Sequence, residues 1–387
     1  MKIGIDISQI PYGTGVSNYT KNLIESLLAI DKKNEYVLFG TSLRQKAKLK
    51  EFLGSLPQSD NLDVKILSLP ISIARILLGK IRIFPIDKFI PEVDIFHSSD
   101  WIEPRVSSKN TTKVTTVHDM TAYLFPNSVH SKIVSAQKDR LNLVKKESTA
   151  ILADSKTTKE DLVKFLEIPE EKIYVVYLAP SKNFKPQDDE KVREILEKYK
   201  INRPYILSVA TQEPRKNIQK LLDVFSKIQN SRPEVNLVLT GKYGWGPGLH
   251  FGDNVVFTDY VPQEDLVALY SGCRVFVYPS LYEGFGLPIL EAMACGAPVI
   301  TSNNSSMVEI AKEVAILIDP RSEGQLKKAI ELVLDLNLEN YQKMVRASLD
   351  RARHYSWTKT AKETLKVYEE VTRSGNQAIR LSGNQES

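Results

Sequence analysis

The chain has 387 residues, 42% hydrophobic and 26% charged, with 52 Lys and Arg against 47 Asp and Glu for a net charge of +5. That length exceeds one ordinary core and predicts two domains of roughly 150 to 200 residues each. A charge this small, with no basic cluster interleaved with aromatics on a binding motif, argues against nucleic acid as a partner, and no apolar run approaches the ~20 residues of a membrane span.

The N-terminus, MKIGIDIS, has the pattern of a strand and not of a signal segment, so the chain is expected in the cytoplasm. Cys273 and Cys295 lie in apolar surroundings and suit a reducing compartment, where buried thiols act as small hydrophobes. Apolar runs at 2–8, 36–40, 64–69, 93–99, 113–119, 150–155 and 172–178 predict strands, with helical periodicity between several of them, notably over 16–30 and 131–146. Short apolar strands separated by amphipathic helices indicate a parallel sheet covered on both faces.

Within this first half, the turn after the first strand carries Gly13 and Gly15 just before a helix. Such a turn lets backbone approach a phosphate or an acceptor closely, and equally fits a plain strand-to-helix connection; the third glycine of a dinucleotide fingerprint is missing. Between 41 and 90 nine Lys or Arg stand against four acids, enough to account for the whole net charge. Its second part, ISIARILLGKIRIFPIDKFI (71–90), has the composition of a segment lying against an anionic membrane surface or a lipid-linked substrate, or of an ordinary amphipathic helix with a solvated basic face. His118 ends a predicted strand, where an imidazole can donate to a sugar hydroxyl or a carbonyl, or serve as a structural loop histidine. His97 is the weaker candidate, and His130, His250 and His354 read as structural or exposed.

A polar, Pro-containing stretch over 182–203 breaks the alternation, which restarts with strands at 205–210, 235–241, 254–260, 274–280, 298–303 and 315–320. Two doubly wound domains in series leave a cleft at the carboxyl ends of their strands. The strand at 205–210 runs into Arg215 and Lys216 at the start of a helix, where adjacent cations oppose the helix dipole and a bound anion would restore the balance. A guanidinium fork and a point charge suit a diphosphate; a solvated surface pair is the alternative. Asn217 is expected to cap the helix.

The segment YPSLYEGFGLPILEAMACGAPVITS (278–302) sets Glu283 and Glu291 around a Gly284-Phe285-Gly286-Leu287-Pro288 turn. Proline suits the first helical turn, so a helix should begin near Leu287 with Glu291 one turn in. Uncapped N–H groups and the positive helix end favour a diphosphate. The carboxylates cannot bind phosphate, so their partners are hydroxyls: a ribose diol for Glu291, and a group in the cleft for Glu283. Both might otherwise merely complement the dipole. A ligand with phosphates and many hydroxyls is a sugar nucleotide. No two aspartates are separated by one residue and no histidine pair has metal-ligand spacing, so no metal or other cofactor is expected and Arg215 and Lys216 take that role.

EPRKN (213–217), the 278–302 segment and SWTKTAKETLKVYEE (356–370), with looser matches at TGVSNYTKNL (14–23) and TVHD (116–119), together resemble the retaining glycosyltransferases of family 4. The resemblance implies the GT-B architecture: two doubly wound, Rossmann-like α/β domains facing a central cleft, at 1–195 and 196–355. A C-terminal helix over 356–373 would cross back to the first domain, followed by a polar tail at 374–387. It further implies that Arg215 and Lys216 bind the donor diphosphate and that Glu291 holds the ribose. Backbone of Gly284, Phe285, Gly286 and Leu287 would meet sugar or phosphate, and Glu283 the donor sugar near the reacting carbon. His118 would contact the transferred sugar, and Gly15 the phosphates or the acceptor. Likeness to bacterial mannosyltransferases of surface polysaccharides, including lipopolysaccharide O-antigen, makes GDP-mannose the expected donor and a UDP-hexose the alternative. A glycan or lipid-linked glycan is the expected acceptor, with 71–90 in peripheral contact with the inner face of an anionic membrane. A non-catalytic sugar-nucleotide-binding scaffold would carry the same donor-side residues.

Overall fold

Among the described residues, thirteen strands form where the apolar runs predict them. The computed structural model of the chain describes residues 1–57, 59–99, 102–242, 244, 252 and 254–383. They fall into two compact units, one of residues Met1–Tyr123, Ser131–Leu178 and Trp357–Ser387, the other of Leu124–His130 and Ala179–Ser356. The first holds β1 (Lys2–Asp6), β2 (Glu35–Thr41), β3 (Leu62–Leu67), β4 (Ile95–Ser99), β5 (Thr112–Val117), β6 (Ala150–Ala153) and β7 (Ile173–Val175), all parallel in the order β3-β2-β1-β4-β5-β6-β7. The second holds β8 (Tyr205–Val209), β9 (Asn236–Thr240), β10 (Val255–Phe257), β11 (Val275–Tyr278), β12 (Val299–Ser302) and β13 (Ile316–Ile318), parallel in the order β10-β9-β8-β11-β12-β13.

Helices α1 (Gly15–Ile30), α2 (Lys46–Ser55), α3 (Ile71–Ala74), α4 (Thr121–Leu124), α5 (Ser131–Glu147) and α6 (Lys156–Leu166) precede the second unit's α7 (Asp189–Lys198), α8 (Ile218–Gln229), α9 (Gln263–Gly272), α10 (Leu287–Ala294), α11 (Ser305–Ala311), α12 (Glu323–Leu334) and α13 (Leu338–Ala352), and α14 (Trp357–Gly383) closes the chain. Burial on both faces explains why strands such as β4, β9 and β11 are buried at every position, and why β11 and the centre of β9 read as apolar runs, whereas β4 buries His97, Ser98 and Ser99 as well. Strand order reverses between β1 and β4 in one unit and between β8 and β11 in the other. At such switch points the loops after the two central strands diverge and open a ligand-sized crevice at the carboxyl edge.

Three expectations need correction. The boundary falls at Leu178/Ala179 and not at 195, because the apolar stripe of α7, Val192, Ile195 and Leu196, is buried in the second unit. Val192 comes so near α9 that a Cβ on Gly272 would lie 2.5 Å from its Cγ1. Helix α14 does not stop at Arg373 but continues to Gly383, in a stretch that contains no proline to break it. Residues 71–90 are not one amphipathic helix: α3 gives way to a π-helical turn over Arg75–Lys80, and a 3-10 turn at Ile86–Lys88 follows Pro85.

Helix α14 belongs to the first unit through polar bonds as well as packing. Thr360 Oγ1 donates to the Tyr177 carbonyl at 2.7 Å, and the buried Tyr368 hydroxyl lies 2.5 Å from His97 Nδ1. His97 is fully buried, its other nitrogen 2.7 Å from Thr116 Oγ1, and burial holds its pKa down to about 3, so it is a neutral structural group. Tyr368→Phe removes that partner and leaves a ring nitrogen unsatisfied, so it should destabilise the protein by about 1–3 kcal/mol in chemical denaturation.

Candidate functional site

The connection after β8 and the connection after β11 lie side by side because those strands are neighbours. Arg215 and Lys216 sit in a 3-10 turn over Pro214–Lys216. Asn217 follows with φ 59° and ψ 31°, a left-handed conformation in which its side chain does not cap α8. Contrary to expectation, the Asn217 amide donates instead to the carbonyls of Pro279 (3.1 Å) and Pro320 (2.8 Å). It thereby ties the cationic turn to the end of β11. The main chain adds a second tie, Leu281 N–H donating to the Arg215 carbonyl at 2.8 Å.

These ties bring Arg215, Lys216 and Glu283 together. Glu283 Oε1 receives Lys216 Nζ at 2.7 Å, Ser280 Oγ at 2.6 Å and the Tyr278 hydroxyl at 3.0 Å, and lies 3.0 Å from Arg215 Nη1. All four contacts fall on one oxygen; Oε2 takes part in none of them. Arg215 also pairs with Glu213 and donates to the Tyr282 carbonyl. The cations that seemed to break a local rule are therefore already balanced, two against two carboxylates: Glu213, two residues before Arg215, and Glu283, 67 residues beyond Lys216 and out of reach of dipole reasoning. Burial alone would raise the Glu283 carboxyl; Arg215, Lys216 and the bonds from Lys216 and Ser280 bring it down to about 2. Burial pulls Lys216 below the usual lysine range despite Glu283.

Glu283 is thus not a carboxylate standing open, because an unpaired buried charge would be costly and two cations are within reach. After it the chain turns through Gly286 at φ 103°, a conformation that suits glycine, into α10, which has Pro288 in its first turn and no side-chain cap. Phe285 faces inward, its ring edge-on to Tyr355, while Ser306 Oγ donates to the Phe285 and Glu283 carbonyls. Glu291 lies one turn into α10 with the Tyr270 hydroxyl 3.2 Å from its Oε2, and burial raises its pKa to about 7.

In the first unit, Gly15 is exposed at the start of α1, whose capping box pairs Thr14 with Ser17. His118 follows β5 with Nδ1 2.7 Å from the buried Asp154 carboxylate and its ring edge-on to Tyr19. Burial raises the Asp154 carboxyl, partly offset by His118. His130 and His354 are exposed, and His250 lies outside the described residues. Both cysteines are buried and free.

Sequence reasoning missed Glu213, Tyr278, Ser280 and Tyr270. Three of these were readable: Tyr278 and Ser280 alternate onto one face at the end of β11, and Glu213 stands two residues before Arg215. Tyr270 belongs to α9, and its meeting with Glu291 depends on helix packing.

Glu291 gives a test of the geometry. The folded state keeps a proton that the unfolded chain releases near the ordinary value of 4.5, so stability falls as pH rises from 4.5 to about 7. The fall should be on the order of 3 kcal/mol. Glu291→Gln should remove that contribution, read as the difference between wild type and variant in thermal melts at about pH 5 and about pH 8, since Asp6, raised by burial to about 6, and His97 titrate alike in both proteins. Glu283 titrates in the opposite sense, its stabilisation being lost only as pH falls from 4.5 towards 2, and does not interfere.

The chain is similar to known proteins over both units. Residues 13–179 match the family described as Glycosyltransferase Family 4, and residues 188–351 match Glycosyl transferases group 1. O-antigen chain mannosyltransferase B of Escherichia coli is 30% identical over 285 residues, which cover 71% of this chain and 74% of that one. Serotype-specific mannosyltransferase WbdA of Escherichia coli is 28% identical over 246 residues, 59% of this chain but only 29% of that relative's length. Among solved structures, Anabaena Alr3699/HepE in complex with UDP and glucose has a TM-score of 0.70 at 15% identity over 96% of this chain and 100% of that one, a likeness of fold. With paired parallel sheets, matches spanning both units and a relative aligned over most of its length, the chain belongs to glycosyltransferase family 4 and has the GT-B fold.

Proposed function

We propose that this glycosyltransferase moves mannose from GDP-mannose onto a lipid-linked glycan in the synthesis of a cell-surface polysaccharide, retaining the anomeric configuration and using no metal ion. The observation that carries the donor side is the convergence of Arg215, Lys216 and Glu283 in the connections after β8 and β11, where the strand order reverses. Similarity to the O-antigen mannosyltransferase supports the sugar and the pathway class. Peripheral contact of 71–90 with the cytoplasmic face of an anionic membrane belongs to the same reading.

In this reading the donor diphosphate lies against Arg215 and Lys216 and the first turn of α10, with Gly284, Phe285, Gly286 and Leu287 contributing backbone, and Glu291 accepts from the ribose diol. As the bond between sugar and diphosphate breaks, negative charge grows on the phosphate and positive character on the anomeric carbon. Cations already fixed in place stabilise that charge without reorganisation. Glu283, an anion held by two cations through Oε1, is a weak nucleophile, which favours front-side attack in which the departing phosphate oxygen takes the acceptor proton. Its Oε2 is the oxygen available to a donor-sugar hydroxyl. His118, oriented by Asp154, would meet the transferred sugar, and Gly15 the phosphates or the acceptor.

Calorimetric titration should show GDP binding more tightly than UDP; equal or tighter UDP binding would overturn the guanine assignment in favour of a UDP-hexose donor. Release of GDP from GDP-mannose should fall by about 10²-fold or more in Lys216→Ala. Nucleotide binding without any release or transfer in the unaltered protein would make it a scaffold.

The metal-free assignment has a separate test. EDTA should leave the initial rate unchanged, whereas loss of activity restored by magnesium or manganese would refute it.

A further inference from the structure

A cavity of about 270 Å³ opens in the first unit between the Arg75–Lys80 turn and α5, far in sequence from every donor-side residue. Arg75, Lys80, Lys132 and Arg140 line it, with Glu103 and Asp139 as the acids. Glu103 is already committed: its carboxylate accepts from Ser98 and Thr115 and pairs with Lys113 Nζ at 2.9 Å. Arg140 is 6% exposed, donates to the Thr116 carbonyl at 2.8 Å, and its buried Nε has no hydrogen-bond partner, the nearest carboxylate oxygen, of Glu103, being 3.6 Å away. The cavity therefore presents more positive charge than its own acids neutralise.

The segment that carries Arg75 and Lys80 also holds apolar side chains out in solvent. Ile73, Ile76, Ile81, Ile83 and Phe84 are 38–58% exposed, five of the twelve large hydrophobic side chains most open to solvent among the described residues. The other side of the same segment is anchored: Ala74, Leu78, Ile86 and Ile90 are buried in a cluster with Val37, Phe39 and Phe96. Anchoring of this kind explains how a short helical segment can hold apolar groups out in water. From Ile71 to Pro85 the segment has bases at Arg75, Lys80 and Arg82 and no acid. A cationic hollow whose lining residues Arg75 and Lys80 sit on a segment with exposed aliphatic side chains fits a ligand with an anionic head and a hydrocarbon tail, and fits neither a free sugar nor a soluble anion as well.

We propose that this cavity receives the headgroup phosphate of a bilayer lipid, while Ile76, Ile81 and their neighbours enter the acyl boundary. The proposal rests on the membrane contact placed above under the proposed function, and narrows it to one cavity, one headgroup chemistry and named side chains. Bonds would run from Arg75, Lys80 and the Arg140 guanidinium to phosphate oxygens.

Sedimentation of the full chain with phosphatidylcholine vesicles containing phosphatidylglycerol, against vesicles of phosphatidylcholine alone, tests it. The wild type should sediment with the anionic vesicles only. Arg75→Gln with Lys80→Gln should weaken that binding by about thirtyfold, from roughly 1 kcal/mol per cation near an anionic surface. Ile76→Ser with Ile81→Ser should weaken it by about tenfold or more at unchanged charge. Lys327→Gln with Lys343→Gln, an equal loss of charge in the second unit, should have little effect. Equal weakening by this control, or no sedimentation by the wild type, would overturn the proposal. So would calorimetric binding of free inorganic pyrophosphate that Arg75→Gln with Lys80→Gln abolishes, with no sedimentation on vesicles, because the occupant would then be a soluble phosphate. None of the six substituted positions is buried, and circular dichroism confirms folding of each variant. GDP binding by the same wild-type sample is read separately, so failure on vesicles with intact nucleotide binding removes the lipid site and not the donor assignment.

Discussion

Four charged side chains leave water together at the carboxyl edge of the second sheet: Glu213, Arg215, Lys216 and Glu283. Taking such groups out of solvent is unfavourable unless each finds a partner, and removing one partner of a buried pair costs roughly 3–5 kcal/mol. Here the partners are 67 residues apart in the chain and meet only because β8 and β11 are adjacent. The site and the sheet order are thus one constraint. A register error between those strands would separate Lys216 from Glu283 and strand both charges. Asn217 and the Leu281 N–H reinforce the arrangement, since each joins the cationic turn to the loop that carries Glu283.

Balancing within the protein also explains how two adjacent cations persist there. Coulomb repulsion between Arg215 and Lys216 is offset by a carboxylate lying between them, and the Tyr278 ring 5.2 Å below the ammonium adds a cation–π contact. Under the proposed function, a diphosphate at this cluster would meet side chains already held in position by second partners. That is preorganisation in its ordinary physical sense: the ordering has been done during folding and need not be repeated on binding.

Much of this was legible in the sequence, for reasons that can be named. Strands covered on both faces must be apolar throughout, so runs such as YILSV and VFVY announced themselves. Gly286 and Pro288 fixed where α10 begins, because a backbone at φ 103° suits glycine and a first turn tolerates proline. Pairings across the fold were not legible. Nothing local to Glu283 says that its charge will be spent on Arg215 and Lys216, and nothing local to Glu291 says that the Tyr270 hydroxyl will reach it. Asn217 illustrates a subtler failure: its residue type suits a helix cap, but a left-handed backbone turned the amide towards two carbonyls elsewhere. In 71–90 the apolar and basic composition was visible, whereas the break of the segment into short turns around Gly79 and Pro85, which splits its aliphatic side chains between core and solvent, required the structure.

Glu291 and Glu283 have the same side chain, eight positions apart, yet burial without a cation leaves one near 7 while two cations take the other to about 2. At neutral pH the first is divided between acid and anion. If a sugar diol donates to it, only the anion is a good acceptor, so uptake of the nucleotide must expel a fraction of a hydrogen ion into the medium. Heats of association measured in buffers of different ionisation enthalpy will then disagree by an amount set by that fraction.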